Sequence, residues 1–114
     1  MPVDKNLLSG SNTMLVLRVL EREDCYGYQL IQELRRQSEG AFDLQEGTLY
    51  PILHALERDG FVTSRLATAE TGRRRKYYHL TDAGREELDR QRAEWREYAR
   101  AVEGFVFRPG PATV

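Results

Sequence analysis

"FVTSRLATAETGRRRKYYHLT", residues 61–81, is the stretch that decides the architecture. Its opening FVTSRLA (61–67) and the run RRKYYHL (74–80) read as two short strands. In the second, Arg75, Tyr77 and His79 alternate with Lys76, Tyr78 and Leu80, the two-residue period of a sheet with two unlike faces. TAETG (68–72) between them is polar and ends in Gly72, as a hairpin tip should. The tip leads straight into Arg73, Arg74, Arg75 and Lys76. The chain has 17 Lys and Arg against 18 Asp and Glu, a net charge of −1, so this positive charge is a local device.

Upstream, QEGTLYPILHALERDG (45–60) repeats Leu49, Ile52, Leu53 and Leu56 at three and four, the helical spacing, and Gly60 supplies a stop. Pro51 would cost about 3 kcal/mol deep inside a helix but little in its first turn. The helix is therefore expected to begin near Gly47 or Thr48, with Thr48 as its cap. Before it, YGYQLIQELRRQS (26–38) places Gly27, Leu30, Ile31 and Leu34 on one helical face, and Gly40 follows where helices often stop. NTMLVLRVLERE (12–23) reads as a largely buried helix. Downstream, TDAGREELDRQRAEWREYARAVEGFVF (81–107) is a long charged helix with Thr81 as N-cap and Asp82 in the first turn. RPGPATV (108–114) cannot continue it.

Three helices, a hairpin and a long helix make the plan of a winged helix-turn-helix with one added helix. The fold class is mainly α with a small β-hairpin. The expected division is a DNA-binding domain over 1–80, a dimerisation helix over 81–107 and a flexible tail over 108–114.

A chain of 114 residues holds one core. Hydrophobic residues at 40% and charged residues at 31% suit a soluble globular protein. Cys25 is the single cysteine, which excludes an intramolecular disulfide and points to a reducing compartment. The longest apolar run, MLVL (14–17), is far too short to span a bilayer, and MPVDKNLLSG lacks a signal peptide's basic and apolar regions. A cytoplasmic protein without membrane attachment is expected. Catalysis finds no constellation: Cys25, His54 and His79 lie in different elements without zinc-ligand spacing, and EGTLY lacks the strand and lysine of a P-loop. No catalytic residue, metal or cofactor is expected.

Cationic hairpin tips lie against duplex DNA because Lys and Arg neutralise phosphates and release counterions. Arg73, Arg74, Arg75 and Lys76 are the candidate phosphate contacts of such a wing. The helix before it would enter the major groove, with Thr48, Tyr50 and His54 as candidate contacts to phosphate or base edges. Alone, four cations also describe an ordinary solvated face, and Tyr77 and Tyr78 read better as packed strand residues than as base-stacking ones. The combination of helix-turn-helix, recognition-type helix and basic hairpin carries the inference.

On the long helix Leu88, Gln91, Trp95, Tyr98, Val102 and Phe105 recur at three and four, a seam with one polar interruption. A helix of about 25 residues spans roughly 37 Å, too long for a small body to cover. Leu88, Trp95, Tyr98, Val102 and Phe105 are therefore the candidate dimerisation residues. Trp95 reads first as dimer core. Facing its copy across a twofold axis, it would also stack a flat aromatic molecule, with Met14 and Arg18 of the first helix lining the site.

YGYQLIQEL, EGTLYPILHALERDGFV, GRRRKYYHLTDAGREEL and the single-tryptophan terminal helix resemble the short-chain group of the PadR family of bacterial transcriptional regulators. The resemblance runs from about Leu15 to Val106. It implies a dimeric winged-helix repressor on a palindromic operator that often responds to small molecules. It puts Thr48 and Tyr50 in the recognition helix, Gly72 to Lys76 in the wing, and Tyr28 in the helix before the turn as a further DNA-binding candidate. It also implies a tryptophan-lined effector cavity at the dimer interface, as some short members have. The start "SGSNTMLVL" departs from the usual leucine-rich entry. The expected partners are thus double-stranded DNA, a second copy of the chain and a small aromatic or hydrophobic effector. The alternatives are a winged-helix adaptor that binds protein in place of DNA, or another winged-helix regulator family such as the MarR-like proteins, whose longer chains fit less well.

Overall fold

The computed structural model describes residues 3–4 and 9–110. Part of the N-terminal reading (residues 1, 2 and 5–8) and residues 111–114 of the expected tail lie outside them. Among the described residues, helix α1 (Asn12–Arg22) leads into a short strand β1 (Cys25–Tyr26) and helix α2 (Gly27–Gln37). Helix α3 (Glu46–Arg58) follows, then strands β2 (Val62–Thr68) and β3 (Arg74–Leu80), and finally the long helix α4 (Asp82–Val106). The three strands form one antiparallel sheet in the order β1-β3-β2. Val62 pairs with Leu80 at the root of the wing and Thr68 with Arg74 near its tip, while Cys25 pairs with Tyr78. The mainly helical winged helix-turn-helix with a long C-terminal helix is the fold expected from the sequence.

Each element exists because one stripe of it is apolar and meets the others. Val16, Leu17 and Leu20 of α1, Leu30 and Leu34 of α2, and Leu49, Leu53 and Leu56 of α3 bury together. Val62, Tyr78 and Leu80 close the core from the inner sheet face. Burying each such leucine contributes about 1.5–3 kcal/mol, enough to override the weak propensity of a helix as short as α2.

The turns are set by local chemistry. The Gly60 N–H donates to the Glu57 carbonyl and the Phe61 N–H to that of Leu56, while Gly60 takes φ of +80°. This double bond pattern closes α3 in a left-handed cap that favours glycine. Gly72 takes φ of +84° at the hairpin tip. The Thr81 side chain accepts from the Gly84 N–H at 3.0 Å and donates to the Gly60 carbonyl at 2.8 Å, so it caps α4 and ties the helix to the base of the wing.

Four details differ from the sequence reading. First, β1 has no counterpart in the sequence reading; two residues are too few for periodicity to register, and tertiary pairing with Tyr77 and Tyr78 makes them a strand. Second, α3 begins at Glu46 with Gln45 as its cap residue, so Thr48 is inside the first turn and is not the cap. Third, Pro51 therefore falls in the second turn, where its missing N–H leaves the Gly47 carbonyl without its helical donor; Gly47 is exposed, so solvent reaches it. Fourth, Leu88, expected in the dimer seam, is fully buried in its own chain. The first turns of α4 pack back on α1 and on β3, and Leu88 completes that core.

Candidate nucleic-acid interface

The first turns of α2 and α3 and the inner edge of the wing converge on a hollow of about 560 Å³. Tyr28, Tyr50, Arg73, Arg75 and Lys76 all line it. Tyr50 is held there by a missing side chain. A Cβ on Gly27 would lie 2.4 Å from the Tyr50 hydroxyl, so the ring rests where only glycine leaves room. His54, one turn beyond Tyr50, and Thr48 are exposed on α3 but do not line the hollow.

The four wing cations are not equivalent. Arg73 and Arg74 are exposed and have no ion-pair partner among the described residues. The Arg75 guanidinium lies 4.3 Å from the centre of the Tyr26 ring, and Tyr26 meets Tyr77 edge-on at 5.5 Å. Arg65 completes this layer over Tyr77 at 5.3 Å, so Arg75 belongs to a cation–aromatic stack on the outer face of the sheet. Lys76 turns to the inner face, where its Nζ is 3.6 Å from Glu57 on α3 and 5.6 Å from the Tyr78 ring centre. Tyr78 is 2% exposed and is a core residue.

Glu57 also accepts a hydrogen bond from the Ser64 hydroxyl. That bond, with the nearby charge of Lys76, holds the Glu57 carboxyl below the ordinary carboxylate range against the opposing effect of burial. At the root of the wing Asp24 accepts from Arg65 at 2.6 Å and meets His79 Nδ1 at 2.8 Å, joining both long strands to the segment between α1 and β1. Burial raises the Asp24 pKa, yet the His79 and Arg65 hydrogen bonds outweigh it and leave the group lowered. Sequence reasoning missed Asp24, Tyr26 and Glu57, because their roles depend on partners from distant elements.

Beyond Leu88, α4 leaves the body and its apolar stripe stays open. Trp95 is 47% exposed, Tyr98 64%, Val102 38% and Phe105 76%. A groove of about 560 Å³ between α1 and α4 brings Met14, Arg18 and Trp95 together. On the other side of Trp95 a second hollow, of about 760 Å³, includes Thr13, Gln91 and Tyr98. Glu21 pairs with two residues that line the first groove, Arg18 at 3.2 Å and Arg92 at 2.7 Å.

Burial pushes the Cys25 thiol up to about 12, so it is no nucleophile at neutral pH. Among the described residues no three His, Cys, Asp or Glu side chains group as a metal site, and no helix is long and apolar enough to cross a membrane.

The model of the transcriptional regulator PadR-like family matches residues 16–90, from α1 through the wing into α4. The chain belongs to this PadR-like family. Its members are transcriptional regulators, not enzymes. A transcriptional regulator of Mycobacterium tuberculosis, Rv3488, is 41% identical over 81 residues, 71% of this chain and 72% of that protein. Among solved structures, a PadR family transcriptional regulator from Eggerthella lenta is 32% identical with a TM-score of 0.81, covering 91% of this chain and 88% of that one. A transcriptional regulator from Clostridium thermocellum is 27% identical, also with a TM-score of 0.81, covering 90% and 99%. The likeness in sequence thus runs through the wing into the first turns of α4, and the likeness in three dimensions covers about nine-tenths of the chain.

Proposed function

We propose that this PadR-like regulator binds duplex DNA as a homodimer and acts as a repressor on a palindromic operator in the cytoplasm. One observation carries the reading. Tyr50 of α3, Tyr28 of α2 and Arg73, Arg75 and Lys76 of the wing converge on one hollow, and Arg73 and its neighbour Arg74 have no ion-pair partner among the described residues. An uncommitted guanidinium is what phosphate contact requires, and Thr48, Tyr50 and His54 offer exposed hydrogen-bonding groups on α3, where Glu46 is the carboxylate that lines the hollow. Residues up to 80 form the DNA-binding unit.

The exposed stripe of Trp95, Tyr98, Val102 and Phe105 is a costly surface for a monomer and is covered by a second copy. A twofold dimer sets two recognition helices about one helical turn of DNA apart. A flat aromatic effector enters the groove at Met14, Arg18 and Trp95 and alters that separation through α4, which begins directly at the root of the wing. It does so only as far as its affinity differs between the two arrangements.

Fluorescence anisotropy of labelled duplexes across a salt series tests the reading. Tight, salt-sensitive binding to DNA from upstream of the protein's own gene, well above binding to a scrambled duplex, is the expected result. No binding to either at low salt removes the reading and leaves a protein-binding adaptor.

A further inference from the structure

The wing carries four consecutive cations, but the structure distributes them over three environments. Arg73 and Arg74 have no ion-pair partner among the described residues, Arg75 is stacked on Tyr26, and Lys76 faces a carboxylate of α3. Glu57 lies in the last turn of α3 and touches both long strands of the wing, Ser64 on β2 and Lys76 on β3. Lys76 also lines the hollow shared with Tyr28 and Tyr50, so its ammonium stands beside the path proposed for the phosphate backbone.

We propose that Glu57 withholds the charge of Lys76 from DNA, lowering the wing's phosphate contact, while fixing the wing stem to the recognition helix. This rests on the reading that α3 and the wing face DNA. Two opposite charges 3.6 Å apart present almost no net field to a phosphate further away, so the pair releases few counterions. Drawing Lys76 off would also leave the Glu57 carboxylate uncompensated beside an incoming phosphate. Non-specific affinity is set by net cationic contact, whereas operator affinity also draws on base edges read by α3. Cancelling one cation per wing therefore lowers binding to arbitrary DNA and to the operator by about the same factor, and shows in the salt slope. The Ser64 contact keeps wing and α3 as one body, so wing contacts form in register with those of the helix.

Glu57→Gln separates these roles, because a glutamine carbonyl still accepts from Ser64 while the charge facing Lys76 is gone. In anisotropy titrations the variant is expected to bind a scrambled duplex more tightly. Its log affinity falls more steeply with log salt, by about 0.9 per wing or ~1.8 per dimer, an extra loss of about 12-fold between 50 and 200 mM salt. Its ratio of operator to scrambled affinity stays near the parent's, since a phosphate contact adds to both. Glu57→Gln combined with Lys76→Gln returns the slope to that of the parent. Lys76→Gln alone flattens the parent's slope far less than Arg74→Ala does, a readout that does not depend on the Glu57 variant folding.

An unchanged slope in Glu57→Gln, a double variant that keeps the steeper slope, or equal flattening by Lys76→Gln and Arg74→Ala overturns the assignment. If Arg73→Ala with Arg74→Ala flattens the slope while Glu57→Gln does not move it, this inference falls and the DNA reading stands. If the parent binds no duplex at low salt, both fall.

Discussion

Replacing Arg73 and Arg74 together by alanine isolates the phosphate contacts of the wing. Both side chains are exposed and neither has an ion-pair partner among the described residues, so the substitution removes little that holds the fold. Stability should stay within about 0.5 kcal/mol of the parent, the usual range for surface changes. DNA binding should change a great deal. Two cations on each wing of a dimer make four phosphate contacts, and each contributes about 0.9 to the slope of log affinity against log salt. The slope should flatten by ~3.6, so the parent loses roughly 150-fold more affinity than the variant between 50 and 200 mM salt. Arg75→Ala is the internal control. Its guanidinium is committed to Tyr26 at 4.3 Å, so it should cost about 0.5–1 kcal/mol of stability and flatten the slope much less. Anisotropy at three salt concentrations and a thermal melt of each variant measure both quantities. A double variant with an unchanged slope would refute the placement of the wing on phosphate, and an Arg75 variant that flattens the slope as much would refute the setting apart of Arg75.

Further outcomes follow from particular contacts. Gly84→Ala puts a Cβ 2.1 Å from the Phe61 carbonyl oxygen and 2.5 Å from Leu80, and the backbone oxygen cannot swing aside. The cost should exceed the helix-propensity gain by about 2 kcal/mol, lowering Tm by ~10 °C in a thermal melt, whereas an unchanged Tm would mean that α4 does not seat on the wing root as described. Gly27→Ala meets only the far end of Tyr50, so the ring should move and Tm hold, while the operator-to-scrambled affinity ratio falls severalfold in anisotropy. Retained discrimination would take Tyr50 out of the DNA contacts. Trp95→Ala should weaken dimerisation by about 30-fold or more, the loss of roughly 2 kcal/mol typical of a central aromatic anchor, as read by sedimentation velocity. An unaltered monomer–dimer balance with intact effector response would sink both roles of Trp95.

Much of this arrangement was legible in the sequence wherever local chemistry decides it. Gly60 and Gly72 sit in left-handed conformations at the expected stop and hairpin tip, and Thr81 caps α4, since each answers a requirement within a few residues of itself. The helical stripes were readable because burial repeats with the helix period. The open stripe of α4 was readable because that period continues past the last residue the body covers. What depended on distant partners was not readable. A two-residue β1 has no period, and Leu88 has the same spacing as Trp95 but falls on the core side of the point where α4 departs. The four wing cations looked alike in sequence. They differ because Tyr26 lies beside Arg75 and Glu57 beside Lys76, contacts that only the packing of β1 and α3 against the wing creates.

Whether two copies set α3 and the wing on one face of duplex DNA can be read by hydroxyl-radical footprinting on DNA from upstream of the protein's own gene. Two protected blocks are expected, with centres about 10 base pairs apart, flanked by backbone protection from the wings that fades as salt rises. No protection at any protein concentration, or a single block that salt does not weaken, would contradict it.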